Sequence, residues 1–270
     1  MDRISLLHDE LLLTILSFLP TTKDVVATMV LSKRWQPLWM MVPRLVYDYS
    51  YENADYGRFS RFVDRSLLLH KAPVLETLYF KVTRTSGVGD IPLWTRAAEK
   101  HSVRELFIEI HSSCIAFPAI LPRSLYTGCR MLVTLKLNNV VLVDAASEPV
   151  SFPSLKYLKL NSLKYPGDEF VKRFLSSCIV LEHLDVDQCP GDNVTVFTVR
   201  VPSLESLYVR KSSDTDLDNA EGFVIDAPSL KYLGITDSTG GFCVIESEMP
   251  NIVKADVDTG YYSLSKILGR

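Results

Sequence analysis

The side chains that most often carry catalysis or bind metals are scattered along this chain. Its five histidines are His8, His70, His101, His111 and His183. No two of them form a His-x-x-x-His pair, the spacing that places two imidazoles on one helical face to bind zinc. His183 lies two residues before Asp185, which could suggest acid–base chemistry, but both fall on one face of a predicted strand without a pocket or a nucleophile. We therefore predict no metal site and no catalytic residue.

The cysteines and the glycine turns give no signature of a redox centre or a cofactor. The five cysteines are Cys114, Cys129, Cys178, Cys189 and Cys243. Because their number is odd and no Cys-x-x-Cys pair occurs, neither a disulfide framework nor a zinc site is predicted. The glycine turns at 86–90 and 239–241 lack the Lys-Ser/Thr pair of a phosphate-binding loop and the context of a dinucleotide site. The sequence predicts no cofactor and no enzymatic activity.

Charge and hydropathy exclude two classes of partner. The 270-residue chain has a net charge of −3 at pH 7, and its basic residues stand singly or in pairs. A nucleic-acid or anionic-membrane partner would need a basic patch, so neither is predicted. The densest apolar run, 11–19, is too short to span a bilayer and follows two acidic residues, unlike a secretory signal. We therefore expect the chain in the cytoplasm, the nucleus or both.

The N-terminal region has the hydrophobic pattern of helices. Apolar residues repeat at helical spacing in 11–19 and again in 25–30. Thr21 or Thr22 can cap the second helix, and Ser32 can cap a short third one. Three helices of this length carry more large apolar side chains than their own small core can hide. The surplus predicts a partner surface, which is either the rest of the chain or another protein.

Five segments of this region follow one another in a recognisable order. They read DRISLL (2–7), DELL (9–12), ILSFLPT (15–21), LSKRW (31–35) and LW (38–39). This order resembles the F-box of plant F-box and leucine-rich-repeat proteins. The resemblance implies that the region packs against a Skp-family adaptor, which bridges it to a cullin. The matching apolar positions imply an adaptor-binding face of Leu7, Leu11, Ile15, Leu16, Leu19, Val30 and Trp35.

One position departs from the family pattern. The family usually has proline at the first helical position, where this chain has His8. Proline presets φ and removes an amide hydrogen that would lack a partner at a helix start. We therefore expect a somewhat reduced affinity for the adaptor.

A hexad of the type Leu-x-x-Leu-x-Leu recurs through the rest of the chain. Its eight copies begin at Leu75, Val103, Leu132, Leu155, Leu181, Leu204, Leu230 and Ile252. Successive copies start 22 to 29 residues apart, in or near the range of leucine-rich repeats. The alternation in each copy predicts one short parallel strand with its fourth and sixth residues facing a core. The predicted fold class is α/β: a three-helix F-box followed by a leucine-rich-repeat solenoid with a curved parallel sheet.

The segments between the strands differ in pattern. Helical periodicity is present in 93–101 and 170–178, whereas 197–201 alternates as a strand does. The convex side of the solenoid is therefore predicted to mix helices and strands. Segment 47–57 has no period and is predicted to be a loop or short linker, and 59–67 predicts a helix that shields the edge of the first strand.

The outward positions of the strands would line a concave sheet face, the usual recognition surface of a solenoid. Aromatic and charged groups side by side there are typical of a protein-binding face. The predicted target-binding residues are Tyr79, Phe107, Lys136, Tyr157, Lys159, His183, Tyr208, Arg210 and Tyr232. An ordinary solvated face, with binding at the loops or the convex side, is the alternative.

Together these patterns divide the chain into an F-box (1–46), a linker with a capping helix (47–72) and a solenoid of about eight repeats (73–270). The resemblance implies the substrate-recognition subunit of an SCF-type cullin ubiquitin ligase. Its implied partners are a Skp-family adaptor, through it a cullin, and a target protein that the sequence does not identify.

Two other functions stay open from the sequence. One is a sensor of a small, hormone-like molecule on the same scaffold, for which Lys136, Lys159 and Arg210 are the basic candidates. The other is an F-box binding protein that acts outside a ligase. Relatives often continue into a C-terminal FBD domain, and here about a dozen residues follow the last hexad. We expect from this a weak C-terminal cap, an exposed strand edge prone to pairing, or a truncated isoform.

Overall fold

The fold was determined as a computed structural model, which describes residues 4–49, 55–83, 89–111, 119–144, 149–211, 221–258 and 267–269. Cys114 and most of the glycine turn at 86–90 lie outside these ranges. The chain divides into two compact units, Met1–Ala119 and Ile120–Arg270.

Two short helices open unit 1. Helix α1 spans Asp9–Ser17 and has two acidic residues in its first turn, where they interact favourably with the helix dipole. Helix α2 spans Thr22–Ala27, and Thr21 caps it in a reciprocal capping box with Asp24. A third α-helix is not confirmed, because the chain continues in short 3-10 turns, of which the last is Leu38–Met41.

Unit 1 contains three parallel strands in register: β1 (Arg44–Tyr49), β2 (Thr77–Thr83) and β3 (Glu105–His111). The sequence predicts a linker from residue 47, whereas β1 continues to Tyr49, so that prediction is wrong for its first residues. Strand β1 lacks the leucine hexad, but its residues Leu45 and Tyr47 are buried beside Leu78 and Phe80 of β2.

Helix α3 (Tyr56–Leu69) and helix α4 (Ile91–Lys100) confirm the two helices predicted in this part of the chain. They cover the inner side of the three strands. The hydroxyls of Tyr47 and Ser66 are 2.7 Å apart, and the ring of Trp94 stacks on Phe80 at 5.5 Å. Helix α3 thus covers a face of the sheet. The edge of β1 is covered instead by α2, whose Thr22 hydroxyl accepts the N–H of Val46 at 2.8 Å.

Unit 2 has a main sheet of six parallel strands in the order of the chain. Hexad residues of neighbouring strands lie side by side, for example Leu184, Leu207 and Leu233. The six strands are β5 (Thr134–Asn138), β7 (Tyr157–Asn161), β8 (His183–Gln188), β10 (Ser206–Lys211), β12 (Tyr232–Asp237) and β14 (Lys254–Asp258).

The return segments of unit 2 mix helices and strands, as predicted. The return segments that precede β5 and β8 contain helix α5 (Ser124–Gly128) and helix α6 (Asp168–Ser176), respectively. Later copies return through a second parallel sheet. Its strands are β9 (Val196–Arg200), β11 (Gly222–Asp226), β13 (Phe242–Ile245) and β15 (Ile267–Gly269), which lie side by side in the order β15-β13-β11-β9. Strands β4 (Ala119–Ile120) and β6 (Val140–Val141) form a separate two-stranded sheet.

Burial separates the last hexad from the other seven. In the seven copies from Leu75 to Ile235, the first, fourth and sixth residues are all buried. In the eighth copy Ile252 is 36% exposed, Ala255 is exposed and Val257 is half-buried. Among the described strands β14 has a neighbour on one side alone, β12, so its apolar positions have less to pack against.

Candidate functional site: two interaction surfaces

Helix α1 divides its apolar stripe between the interior and the surface. Leu12 and Leu16 point inward, and α1 packs against the Leu38–Met41 turn. On the other side, Leu11 is 51% exposed and Ile15 is 43% exposed. The sequence pattern alone groups all four residues, because a wide apolar stripe does not show where a helix changes from core to surface.

The predicted adaptor-binding residues therefore fall into three groups. Leu11, Ile15 and Val30 are exposed, and Val30 is the most exposed of them at 88%. Leu7 and Leu19 are half-buried. Leu16 and Trp35 are 1% and 4% exposed, so they belong to the interior of unit 1 and support the surface from beneath.

Four further large apolar side chains are exposed within the segments that resemble an F-box: Ile4, Leu6, Phe18 and Leu31. These four residues are not among the predicted adaptor-binding positions. With Leu11, Ile15 and Val30 they form what we term the apolar helical surface.

Two arginines hold α1 in place. Arg34 donates to the Asp9 carboxylate with Nη2 at 2.6 Å and also to the carbonyl oxygen of Leu7. Arg44 donates to the Leu19 carbonyl oxygen at 3.1 Å, just beyond the C-terminus of α1. Cations there satisfy carbonyl groups that the helix leaves without partners. The arginines thereby fix the orientation of the exposed apolar side chains.

His8 lies one position earlier than predicted. It is the N-cap of α1 rather than the first helical residue, and its φ is −62°. This φ is the value that proline imposes. Histidine at this position therefore keeps the backbone conformation that the usual proline would preset.

The second surface is the outward face of the main sheet of unit 2. Because its strands pair in register, outward residues form rows across it. Three rows contain most of the predicted target-binding residues. In strand order they are Tyr157, His183, Ser206 and Tyr232; Lys159, Asp185, Tyr208 and Gly234; and Asn161, Asp187, Arg210 and Thr236.

Aromatic groups in these rows are held against their neighbours. The rings of Tyr157 and His183 stack with their centroids 4.4 Å apart. The ring of Tyr208 lies over Gly234, where a Cβ atom would be 2.5 Å from the Tyr208 Cδ1. Tyr157, Tyr208 and Tyr232 are each between 42% and 49% exposed, so each offers part of a ring to a partner. Ordered, half-exposed tyrosines lose little entropy on binding.

The charged residues of the rows are paired with one another. Lys159 Nζ lies 2.5 Å from Asp185 Oδ2. Arg210 Nη2 lies 3.3 Å from Asp187 Oδ2 and 3.9 Å from Asp185 Oδ1. Lys136, also exposed, is beside Lys159 in register. We term these aromatic and charged residues of unit 2 the sheet face.

Two of the predicted target-binding residues lie in unit 1. The rings of Tyr79 and Phe107 meet edge to face at 5.7 Å. The Tyr79 hydroxyl donates to the Glu109 carboxylate at 2.8 Å. Burial and the adjacent Glu109 carboxylate both raise the pKa of Tyr79, which keeps its hydroxyl protonated as a donor.

The buried cysteines Cys178 and Cys243 are not activated for nucleophilic chemistry. Burial raises the pKa of Cys178 to about 12 and that of Cys243 to about 11, so both thiols are protonated near neutral pH. In the described ranges, no group of three or more His, Cys, Asp or Glu side chains could hold a metal ion. None of the described helices is long and apolar enough to cross a membrane.

The repeated strands, with returns through helices and a second sheet, define the class of a leucine-rich-repeat protein. A family model described as the LRR repeats of FBD-associated F-box protein At5g56370 matches residues 91–254. The chain belongs to this family of plant F-box/FBD/LRR-repeat proteins.

Three relatives from Arabidopsis thaliana show how far the similarity extends. FBD-associated F-box protein At5g50270 is 63% identical over 99% of this chain, and FBD-associated F-box protein At1g32375 is 57% identical over all of it. F-box/FBD/LRR-repeat protein At5g56420 is 48% identical over 99% of the chain. The chain spans 63% to 65% of the length of these relatives.

Proposed function

We propose that this protein is the substrate-recognition subunit of an SCF-type cullin ubiquitin ligase. The apolar helical surface docks a Skp-family adaptor, which connects the chain to a cullin, and the sheet face binds a target protein. The observation that carries the proposal is the exposure of Leu11, Ile15 and Val30 on helices anchored to a buried core. The family name supports it, since the relatives are named F-box proteins.

In this role the chain contributes position rather than chemistry. Holding a target beside a ubiquitin-loaded enzyme raises the effective concentration of its lysines, as any well-oriented tether does. A ligase of this type acts in the cytoplasm, the nucleus or both, which is the location we propose. The chain itself needs no metal, cofactor or nucleophile for this task.

The ion pairs of the sheet face favour a protein target over a small anionic ligand. Lys159 and Arg210, two of the three cations available to a hormone-like molecule, are already neutralised by Asp185 and Asp187. A small anion would have to compete with these carboxylates. A protein partner can instead bury the exposed tyrosine rings while the ion pairs stay intact.

Calorimetric titration of the chain with a plant Skp-family adaptor tests the docking step. We expect the double variant Leu11→Asp, Ile15→Asp to weaken binding by about 100-fold or more, because two carboxylates would be buried in an apolar interface. Leu16 is unsuitable for this test, since its burial would mix loss of affinity with loss of folding.

Leu93→Asp is the matched control, because Leu93 is 59% exposed and lies on α4, outside the apolar helical surface. This control should bind like the unmodified chain. Equal binding by all three proteins would remove the proposed docking surface. Addition of cullin then separates ligase from non-ligase function: an adaptor complex that fails to capture cullin would support an F-box protein acting outside a ligase.

A further inference from the structure

Three arginines lie along one side of α3 in unit 1. Arg58, Arg61 and Arg65 are spaced at i, i+3 and i+7, which places them on one helical face. A rise of 1.5 Å per residue puts the first and last about 10 Å apart along the helix axis. All three are exposed. They line a cleft of about 410 Å³, which we term the arginine cleft.

The rest of the arginine cleft is mainly apolar. Its lining includes Val26 of α2, Trp39 of the last 3-10 turn, and Phe62 and Leu69 of α3. Leu69 is 49% exposed, and Phe62 is half-buried. The cleft therefore combines a row of cations with apolar side chains that water reaches. None of the exposed residues of the apolar helical surface lines it.

The cations of the cleft have little neutralising charge around them. Arg58 forms an exposed ion pair with Asp55 at 3.3 Å. Within the described ranges, neither Arg61 nor Arg65 forms an ion pair. The Asp64 carboxylate, also on α3, accepts the Trp94 indole N–H at 2.8 Å. Arg58 also stands in the first turn of the helix, where the dipole disfavours a cation. An anionic ligand would offset the unfavourable helix dipole at Arg58 and would pair with the guanidinium groups of Arg61 and Arg65.

From this arrangement we infer that the arginine cleft binds an acidic amphipathic segment of a partner protein. Carboxylates on one side of such a segment, spaced three or four residues apart, match the spacing of Arg61 and Arg65 and can pair with guanidinium groups. Apolar side chains on its adjoining side cover the half-buried Phe62 and the exposed Leu69, beside the buried Trp39.

The lining of the cleft favours a peptide over other anions. Free phosphate would leave the apolar floor uncovered. Nucleic acid binds through extended basic surfaces, and this chain has a net charge of −3 with scattered basic residues. The inference does not depend on adaptor docking, because the two surfaces share no exposed residue.

The probe is a synthetic helical peptide of about 14 residues with glutamates four apart on one face and leucines on the adjoining face. Fluorescence anisotropy should detect its binding to the full chain at low salt, and binding should weaken as salt is added. We expect Arg61→Glu, Arg65→Glu to weaken it at least about tenfold. Arg96→Glu is the matched control, since Arg96 is exposed on α4 and does not line the cleft.

Fluorine NMR locates the bound peptide. The chain has three tryptophans, Trp35, Trp39 and Trp94, and Trp39 is the one that lines the cleft. With 5-fluorotryptophan incorporated, the peptide should shift the Trp39 resonance, assigned with Trp39→Phe, and leave the other two in place. A glutamine version of the peptide should shift none.

Several results would overturn the inference. They are an unmoved Trp39 resonance, equal loss of binding in Arg96→Glu, and equal binding of the glutamine peptide. A Trp39 shift with inorganic phosphate or phosphatidylserine vesicles, but not with the acidic peptide, would also overturn it. Circular dichroism of each variant excludes unfolding as the cause of lost binding.

Discussion

The apolar helical surface of unit 1 and the sheet face of unit 2 differ in what they leave unsatisfied. On the first, leucine, isoleucine and valine side chains are exposed with no apolar surface covering them. On the second, Lys159, Asp185, Arg210 and Asp187 pair with one another. The first surface therefore gains free energy from burial itself, at about 25 cal/mol per Å² of apolar area. The second gains free energy from burial of its half-exposed tyrosine rings, provided that the partner leaves the ion pairs intact or replaces them.

This difference suits the apolar helical surface to tight binding and the sheet face to selective binding. A surface whose binding depends on apolar area accepts one shape of partner strongly and discriminates little by charge. A surface of ordered tyrosines and paired charges penalises partners that disrupt a pair without replacing it. In the proposed function the adaptor would be the constant partner and the target the selective one.

The largest expected effect tests the division between inside and outside on α1. Leu16→Ala should lower the free energy of unfolding by about 2–5 kcal/mol, because it leaves a cavity under the helix. Leu11→Ala, its exposed counterpart, should change it by less than about 0.5 kcal/mol. Urea denaturation followed by circular dichroism measures both. Similar losses for the two variants would contradict the separation of core and surface on this helix.

A buried histidine pair makes unit 1 sensitive to acid. His70 Nε2 lies 3.0 Å from the Val42 carbonyl oxygen, and the rings of His70 and His101 are 5.2 Å apart. Burial, and then the nearby His101 and Lys100, lower the pKa of His70 to about 4, although its hydrogen bond to Val42 acts in the opposite direction.

Because the folded pKa of His70 is below its unfolded value of about 6.5, the unfolded state takes up the proton first as pH falls. The contribution of His70 to stability is complete above about pH 6.5 and is lost progressively toward pH 4. We expect a loss of about 1–2 kcal/mol from this group, after allowance for solvent screening. Urea midpoints at pH 7 and pH 5 measure it. The His70→Gln variant should show a smaller difference between the two pH values, and an unchanged difference would refute the assignment.

On the sheet face, Gly234 and Tyr208 should be coupled. Gly234→Ala places a Cβ against the Tyr208 ring and should cost about 1 kcal/mol of stability. In a Tyr208→Ala background the same change should stabilise by about 0.5 kcal/mol, since alanine restricts the unfolded chain more than glycine does. A double-mutant cycle by urea denaturation measures the coupling. An effect of the same sign in both backgrounds would mean that the ring does not rest on Gly234.

The smallest expected effect concerns the Lys159–Asp185 pair. Both side chains are about one-third exposed, so a cycle of Lys159→Ala and Asp185→Ala should give a coupling free energy below about 1 kcal/mol. The coupling should decrease further in high salt. A coupling of several kcal/mol would show that the sheet face contributes to folding as much as to recognition, and would weaken its contrast with the apolar helical surface.

Much of the fold follows from periodicity alone. The hexad identifies β2, β3 and the six strands of the main sheet in unit 2, because a strand with one buried side alternates with period two. Helical spacing identifies α1, α2, α3, α4 and α6. Strand β1 was not predicted because it lacks the hexad, although the alternation of Leu45, Tyr47 and Tyr49 indicates a strand.

The candidate surfaces were predicted less completely. Exposure of Leu11 and burial of Leu16 depend on what packs against α1, namely the turn Leu38–Met41, which lies more than 20 residues away in sequence. Packing between distant segments also determines that Phe18 and Leu31 are exposed. It likewise places the Tyr208 ring over Gly234 of the neighbouring strand. Contacts between distant segments have no local pattern in the sequence.

The sequence by itself determined the family, the repeated parallel strands and the mixture of helices and strands that joins them, because these depend on local spacing and residue type. Only the tertiary structure decided which apolar residues are core and which are surface, which charges neutralise one another, and that three arginines of α3 share a cleft with Trp39. The physical reason is that burial and charge pairing are properties of neighbours in space.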